Sequence, residues 1–316
     1  MIIVTGASGM LGSQVLIQLA GEFPDHKLQA WYRSEGSRQC ALQQEELLKI
    51  QDCIEWVRID LMDSLAVEEA MAGATHVVHC AAMVSFKASD AQRMLTQNPG
   101  MAENIASAAL HHGVHNVVHV SSVAALGKPA DGGAISESDQ AQRETLNTYG
   151  QSKYDSEMVM QRFHAEGMPL WIVNPTVILG PPHWPGGSSQ LVQSIRDGLK
   201  FYTPGSTGWI QVDDVARAIV KLLKEAPGRG ENFLLNGKNA SFQDAFAEIA
   251  SEWGVPAPKY GVKPALLQVA WRVERLLERL FNRAPNLTKD SVRAACAHTT
   301  YDNSKAVAKG LLTERS

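Results

Sequence analysis

The feature that most constrains the fold is a glycine-rich turn that follows the first apolar run of the chain. "MIIVT" (1–5) has the composition of a buried strand, and "MLGSQVLIQLAGEF" (10–23) has that of a helix. Between them, "VTGASGMLG" places Gly6, Gly9 and Gly12 three residues apart. Glycine permits a tight turn that brings the backbone close to a pyrophosphate, and the following helix N-terminus offers free N–H groups and a positive dipole end. A strand, this loop and a helix in that order predict a dinucleotide-binding unit.

Short apolar runs alternate with longer helix-like segments through the first part of the chain. After the first strand, the pattern predicts further strands at 27–33, 53–60, 75–82, 116–122 and 170–180. Strands that alternate with helices are typical of a parallel sheet that helices cover on both faces. The predicted fold class is therefore α/β, a doubly wound parallel sheet of the NAD(P)-binding Rossmann type.

The character of the sequence changes near residue 180, where helical segments become dominant. They are predicted at 188–198, 213–225, 241–253 and 264–282, with short strands near 208–212 and 231–236. We predict an NAD(P)-binding domain over residues 1–180, with 208–225 returning to it, and a smaller, mostly helical substrate-binding region over 181–316. The amphipathic helix 264–281 is interpreted as packing on the second region, with a pocket lid or a peripheral membrane contact as alternatives.

Composition and charge exclude several classes of partner. Hydrophobic residues make up 45% and charged residues 20% of the 316 residues, and the formal net charge is -4, so neither nucleic acid nor an anionic membrane surface is expected to bind. The first residues lack the charged segment of a secretory signal, and no apolar window is long enough to cross a bilayer. We expect a cytoplasmic protein whose cysteines are free thiols: Cys40, Cys53, Cys80 and Cys296.

The end of the second predicted strand bears on the choice between NAD and NADP. An acidic residue there would bind the ribose 2′-hydroxyl of NAD, whereas an arginine would accept the 2′-phosphate of NADP. In "WYRSEGSR" the strand ends at Arg33 and Ser34, and Glu35 lies slightly beyond the strand end at which an acidic residue would bind the ribose. Because a guanidinium can hold a phosphate through two hydrogen bonds, NADP(H) is favoured as the cofactor, with NAD(H) as the alternative. Asp60, at the end of the third strand, is placed to meet the adenine amine.

A tyrosine and a lysine stand four residues apart in "YGQSK". A helix brings residues four apart to one face, so Tyr149 and Lys153 point the same way and Tyr154 does not. An ammonium beside a phenol favours the phenolate and lowers its pKa, so the pair suits proton transfer to or from an alcohol while a nicotinamide moves hydride. Upstream, "HVSSVAALG" ends a predicted strand with Ser121 and Ser122, whose hydroxyls are suited to hydrogen-bond a substrate carbonyl.

Together with other segments, these motifs make the chain resemble the extended short-chain dehydrogenase/reductase family, also described as the NAD-dependent epimerase/dehydratase family. The matching segments run in the family's order over about residues 1–220: "TGASGMLG", "IDLMD", "HCAA", "NPGMAEN", "HVSSVAALG", "YGQSK", "NPTVILGP" and "VDDVARA". Such a set is specific for the family and its NAD(P) cofactor, and much less specific for the substrate.

The resemblance implies a role for each matching residue. Tyr149 would be the general acid/base, and Lys153 would bind the nicotinamide ribose and lower the pKa of Tyr149. Ser122 would be the catalytic hydroxyl, with Ser121 as the second choice, and Asn98 would be structural. Cofactor contacts would come from residues at the pyrophosphate, the adenine, the adjacent ribose and the nicotinamide: Gly6, Gly9, Met10, Leu11 and Gly12; Asp60 and Leu61; Ala81 and Ala82; Pro175 and Val177.

Departures from the family's patterns bear on the substrate. Where the sugar-nucleotide epimerases carry a substrate-binding Asn and a diphosphate-binding Arg, this chain has Val177 and Thr207, and Asn174 stands where a further Arg is expected. A site without these groups is poorly equipped for a dianionic diphosphate. The pattern instead resembles the dihydroflavonol reductase and 3β-hydroxysteroid dehydrogenase branch. An apolar pocket is expected from Met83, Val84, Phe86 and Trp184, with Ser121 beside them.

The leading hypothesis is an NADP(H)-dependent oxidoreductase that interconverts a carbonyl and an alcohol on a largely apolar small molecule. The alternatives are an NAD-dependent nucleotide-sugar epimerase or dehydratase, and a non-catalytic NADP-binding or sensing protein. Family members commonly dimerise through helices at about 98–113 and 148–166, so the resemblance implies a homodimer. No metal is expected, because no carboxylate or thiol at ligand spacing completes the histidine cluster His111, His112, His115 and His119.

Overall fold

A parallel sheet forms the centre of the fold in the computed structural model, which describes residues 1–85, 87–182, 184, 187–281 and 289–313. The strands are β1 (Ile2–Thr5), β2 (Leu28–Tyr32), β3 (Ile54–Arg58), β4 (His76–His79), β5 (Asn116–Val120), β6 (Leu170–Pro175), β7 (Val177–Leu179), β8 (Phe201–Tyr202), β9 (Ser206–Gln211), β10 (Arg229–Leu235), β11 (Lys238–Ser241) and β12 (Tyr260–Gly261). Among the described residues, seven parallel strands make the main sheet in the order β10-β6-β5-β4-β1-β2-β3. The predicted doubly wound sheet is confirmed.

Helices cover both faces of this sheet. They are α1 (Met10–Glu22), α2 (Glu35–Ala41), α3 (Glu45–Lys49), α4 (Ser64–Met71), α5 (Ala91–His111), α6 (Thr148–Ala165), α7 (Gly187–Arg196), α8 (Val212–Lys224), α9 (Phe242–Glu252), α10 (Pro264–Phe281), α11 (Lys289–Cys296) and α12 (Ser304–Ala308). Side chains alternate between faces along each strand. Val4 and Val78 therefore pack in one core with α1 and α8, whereas Ile3 and Val77 pack in another with α4, α5 and α6.

The strand order reverses at β1, which pairs with β2 on one side and with β4 on the other. Such a reversal leaves a crevice at the carboxyl ends of parallel strands, because the connections on either side run in opposite directions. Four segments leave the sheet at this edge, after β1, β4, β5 and β6. They carry the glycine loop, Ala81, Ser122 and Val177, so the topology gathers motifs that are far apart in the sequence.

The predicted strand over residues 170–180 is divided in two, which is a correction to the sequence-based expectation. β6 ends at Pro175, and β7 begins at Val177 in a different sheet, where it pairs with β9. Proline has no backbone N–H to continue a ladder. Thr176 uses its own N–H to bond the carbonyl of Leu235 at 3.0 Å, and the chain turns there from the main sheet toward the second one.

A smaller sheet of β7, β9 and β11 packs with α7 and α9 around a separate apolar cluster that contains Leu179, Trp209 and Phe246. The C-terminal part is interleaved with the first, since α8 packs on α1 and β10 joins the main sheet beside β6. All four cysteines are free thiols, as expected. Among the described helices, none combines the length and the apolar character needed to cross a membrane.

Candidate active site

The glycine loop is packed so closely that two of its residues have no room for a side chain. Gly6 has a φ of 63°, and a Cβ on it would lie 2.8 Å from the Cα of Ala81. A Cβ on Gly12 would lie 2.8 Å from the carbonyl carbon of Gly6. Gly9 donates its N–H to the Gly6 carbonyl at 2.9 Å and precedes α1, which begins with Met10 and Leu11. The loop and the first turn of α1 fit the pyrophosphate of a dinucleotide.

The end of β2 lies beside this loop. Arg33 and Ser34 are exposed there, and Ser34 caps α2 by accepting the N–H of Ser37 at 3.4 Å. The hydroxyls of Ser37 and Ser8 are 3.1 Å apart, which ties α2 to the glycine loop. Glu35 is engaged elsewhere, because its carboxylate accepts hydrogen bonds from Tyr32 and Arg38. Arg33 is thus exposed where β2 ends, two residues before a carboxylate that is already hydrogen-bonded.

The ends of β3 and β4 complete the nucleotide side of the crevice. Asp60 is exposed and accepts the N–H of Met62 at 3.0 Å, while the neighbouring Leu61 is buried. Ala81 donates its N–H to the hydroxyl of Thr5 at 3.2 Å, which ties the ends of β4 and β1 together, and Ala82 follows it. The predicted adenine and ribose residues therefore lie along one edge of the sheet.

Asn98 from α5 holds the segment after β4 in place. Its side chain accepts the N–H of Met83 at 2.7 Å, donates to the Met83 carbonyl at 3.0 Å and donates to Ser152 at 3.0 Å. A buried amide that satisfies a loop backbone in this way fixes the loop's position, which agrees with a structural role for Asn98. Val84 is 53% exposed, and Phe86 lies outside the described residues.

Tyr149 and Ser122 come together at the start of α6. A hydrogen bond joins their side chains, although 26 intervening residues separate them in the printed sequence. Gly150 makes this approach possible, because a Cβ there would overlap the carbonyl oxygen of Ala124 in the turn after Ser122. Ser121 is buried and lies beside Glu157 instead. The geometry distinguishes the two serines, and it places Ser122 with the tyrosine.

Lys153 lies one turn after Tyr149 and is 4% exposed. Its ammonium donates to the carbonyl of Val120 at 2.8 Å. Burial lowers the pKa of Lys153 to about 8, and the charge of Glu157 opposes that shift, as would a thiolate at Cys80. Burial also raises the pKa of Tyr149, with the hydrogen bond to Ser122 acting in the opposite direction. The expected lowering of the Tyr149 pKa by Lys153 is therefore not found, because desolvation dominates and the ammonium is directed to Val120.

The remaining predicted residues lie around the same crevice. Pro175 is buried at the end of β6, and Val177 is partly buried at the start of β7. Trp184 is 7% exposed and donates its indole N–H to the carbonyl of Ser8 in the glycine loop at 3.2 Å. This contact places the predicted pocket residue Trp184 against the cofactor loop.

Sequence reasoning missed several residues that matter for this arrangement. Gly150 is part of "YGQSK", but the sequence does not show that this residue packs against the distant turn at Ala124, where a side chain would not fit. Glu157 and Asn174 are buried and hydrogen-bonded to each other at 2.6 Å. At the histidine cluster, α4 brings Glu68 to His111 and His112, so that one potential ligand atom from each of the three residues lies within 4.8 Å of the others. The spacing of residues along the sequence did not predict a carboxylate at this cluster.

Comparisons with known proteins agree with this architecture. The NAD dependent epimerase/dehydratase family matches the chain over residues 2–235. A candidate dihydroflavonol 4-reductase of Synechocystis sp. is 30% identical over 313 residues, which cover 96% of this chain and 87% of that protein. Sterol demethylase protein B of Methylococcus capsulatus is 26% identical, with 96% of this chain and 90% of that protein covered.

Solved structures show the same fold. UDP-glucuronic acid 4-epimerase from Bacillus cereus, in complex with UDP-glucuronic acid and NAD, superposes with a TM-score of 0.76 at 20% identity, covering 100% of this chain and 94% of that one. The family match includes the glycine loop, Ser122, Tyr149, Lys153 and the strands that position them. The chain therefore belongs to the NAD dependent epimerase/dehydratase family, the extended short-chain dehydrogenases/reductases, and is an NAD(P)-dependent enzyme.

Proposed function

We propose that the enzyme is an NADP(H)-dependent reductase that interconverts a carbonyl and an alcohol on a largely apolar small molecule. The observation that carries the proposal is the hydrogen bond between Tyr149 and Ser122, with Lys153 one turn further along α6 and the glycine loop in the same crevice. This set provides a proton donor, a partner that orients it and a cation beside a dinucleotide site.

Each of these side chains has a definite task in the proposed reaction. NADPH, when bound, would supply the hydride that adds to the carbonyl carbon and would be left as NADP⁺. Tyr149 donates its hydroxyl proton to the carbonyl oxygen and is left as a phenolate, so that the π bond of the carbonyl is replaced by a C–H and an O–H bond while the C–O single bond remains. Because burial raises the pKa of Tyr149, the phenol is protonated at neutral pH, which is the form that reduction requires. Ser122 orients the phenol and the substrate oxygen.

The residues that line the crevice favour one class of substrate. Val177 and Thr207 stand where the epimerase pattern has an Asn and an Arg, so two polar contacts to a diphosphate are missing. Met83 is partly buried beside the exposed Val84, and Trp184 closes the side next to the cofactor loop. Two of the relatives are named for flavonol and sterol chemistry. These features support an apolar carbonyl compound rather than a sugar nucleotide.

Nucleotide release from the purified protein tests this assignment. We expect NADP(H) that exchanges freely with added cofactor, and NADPH oxidation on addition of an aromatic or alicyclic ketone, followed by absorbance at the nicotinamide band. UDP-glucose and UDP-glucuronic acid serve as controls and should cause no turnover. Tightly held NAD that survives gel filtration, together with conversion of a UDP-sugar, would contradict the reductase and favour an epimerase.

Arg33 is proposed to select NADP(H) by binding the 2′-phosphate. Replacing Arg33 by Ala should weaken NADPH binding about tenfold or more and leave NADH binding nearly unchanged, because a charge-assisted hydrogen bond contributes roughly 1.5–3 kcal/mol. Fluorescence titration with both nucleotides measures the two affinities. Lys27→Ala is the control, since Lys27 lies just before the opposite end of β2 and pairs with Glu55. Equal affinity of the wild type for NADH and NADPH would refute the role given to Arg33.

Two structural assignments stay predictions. The region over residues 181–316 is proposed to bind the substrate, which its separate apolar cluster beside β7 supports. Dimerisation is proposed through the outer faces of α5 and α6, which pack side by side. Size-exclusion chromatography with light scattering checks the second assignment.

A further inference from the structure

Glu157 is a buried carboxylate that the proposed reaction does not use. It is 6% exposed and lies on α6 one turn after Lys153, at the same four-residue spacing that separates Lys153 from Tyr149. Removing a carboxylate from water is costly unless it is hydrogen-bonded and balanced by a charge. Its presence in the core next to the candidate site therefore needs a physical reason.

Asn174 provides the hydrogen bond. Its side-chain amide is fully buried on β6 and donates to a Glu157 oxygen at 2.6 Å. The same amide nitrogen donates to the backbone carbonyl of Ser122 at 3.2 Å. Asn174 thus joins the helix that carries Tyr149 and Lys153 to the turn that carries Ser122, and it holds the Glu157 carboxylate in a defined position.

The groups that face Lys153 supply little other negative charge. Burial lowers the pKa of His79 to about 3 and places that of His119 well below its usual range, so both imidazoles are neutral. Burial raises the pKa of the Cys80 thiol to about 12, and it also raises the pKa of Tyr149. The imidazoles of His79 on β4 and His119 on β5 and the Cys80 thiol are therefore uncharged groups near the Lys153 ammonium.

We propose that Glu157 is a positioning residue whose carboxylate, held by Asn174, is the buried counter-charge that keeps Lys153 in its ammonium form beside Tyr149. The charge relation is supported by the burial of both groups, their four-residue spacing on α6 and the hydrogen bond from Asn174. Its consequence for catalysis rests on the proposed function. Burial alone drives Lys153 toward the neutral amine. The Glu157 charge opposes this shift. Burial raises the pKa of Glu157 itself, while Ser121, Asn174 and the charge of Lys153 act in the opposite direction.

An NMR titration of the free protein tests the charge relation directly. With lysine labelled by ¹³C at Cε, the Lys153 signal is assigned by its loss in Lys153→Arg, and its midpoint is followed with pH. In Glu157→Gln, which keeps the shape and the acceptor for Asn174, we expect the midpoint to fall by about one pH unit or more, since a nearby opposite charge shifts a pKa by roughly 1–3 units. The other lysine signals report whether the variant is folded.

Two further variants test whether a shift in the Lys153 midpoint is specific to the charge of Glu157. Glu166→Gln is the matched control, because Glu166 stands at the same spacing from Arg162 as Glu157 from Lys153, in an exposed ion pair at 3.8 Å; it should leave the Lys153 midpoint unchanged. Glu157→Asp keeps the charge and should restore most of the midpoint. A Lys153 midpoint in Glu157→Gln that matches the wild type within about 0.2 units, far below the expected shift, overturns the proposal.

The effect of Glu157→Gln on catalysis is measured separately, from the pH dependence of kcat. Where the wild type reduces a carbonyl with NADPH, the alkaline limb of its kcat profile should move to lower pH in Glu157→Gln by the same amount as the NMR midpoint. An unmoved limb alongside a shifted midpoint overturns the catalytic part of the proposal. A wild type that turns over no carbonyl would instead refute the proposed function, and the NMR result would still decide the charge relation.

Discussion

Replacing Tyr149 by Phe should reduce the carbonyl-reduction rate by roughly 10²- to 10⁴-fold, the usual contribution of a positioned proton donor. The substitution removes the hydroxyl that is hydrogen-bonded to Ser122 and keeps the ring. NADPH affinity should change little, because the phenol is not among the proposed cofactor contacts. Steady-state kinetics and a fluorescence titration with NADPH measure the two quantities on one preparation.

Tyr154→Phe is the control for this experiment. Tyr154 follows Lys153 directly, is partly buried and lies on a different face of α6 from Tyr149. Removing its hydroxyl should leave kcat close to the wild-type value. If Tyr149→Phe retained normal turnover, or if Tyr154→Phe lost it, the assignment of Tyr149 as proton donor would be wrong.

Replacing Gly12 by Ala should damage both stability and nucleotide binding. The new Cβ would lie 2.8 Å from the carbonyl carbon of Gly6 and 2.9 Å from the Cα of Ala7. Both are backbone atoms that cannot rotate away, so the loop must shift. We expect a loss of about 1–3 kcal/mol in the free energy of unfolding, typical of overpacking. NADPH affinity should fall about tenfold or more, as when a hydrogen bond to a charged group is lost.

Gly21→Ala is the matched control, because Gly21 lies on the same helix and a Cβ there would meet no atom within 4 Å. This change should stabilise the protein by about 0.4–1 kcal/mol, since alanine loses less backbone entropy than glycine in a helix. Urea denaturation measures both variants. Normal NADPH affinity in Gly12→Ala would show that the glycine loop does not have to stay in this conformation to bind the nucleotide.

The part of the architecture that the sequence predicted depends on local patterns of apolar residues. Continuous apolar runs marked β1 and the strands that followed, because helices cover both faces of those strands, and the 3.6-residue period marks a helix. The same periodicity placed Tyr149 and Lys153 on one face of α6. The division at Thr176 was missed, since "LWIVNPTVILG" is apolar on both sides of Pro175 and only pairing partners distinguish β6 from β7.

Contacts between distant segments account for what the sequence left open. Ser121 and Ser122 are neighbours with the same hydroxyl, and only the packing of Gly150 against the turn after Ser122 brings the second one to Tyr149. The sign of the Tyr149 pKa shift was predicted wrongly, because a neighbouring ammonium is visible in a sequence and the depth of burial is not.

The sequence by itself determined the fold class, the glycine loop and the Tyr149–Lys153 pair, because each depends on residues that are close together along the chain. The tertiary structure alone decided that Asn174 from β6 holds Glu157 and that the Lys153 ammonium points to Val120, and it joins Tyr149 to Ser122, the serine that the family resemblance had put first. These depend on how strands and helices separated by tens of residues pack and exclude water. Burial then sets the charge of each group, and no short stretch of sequence encodes burial.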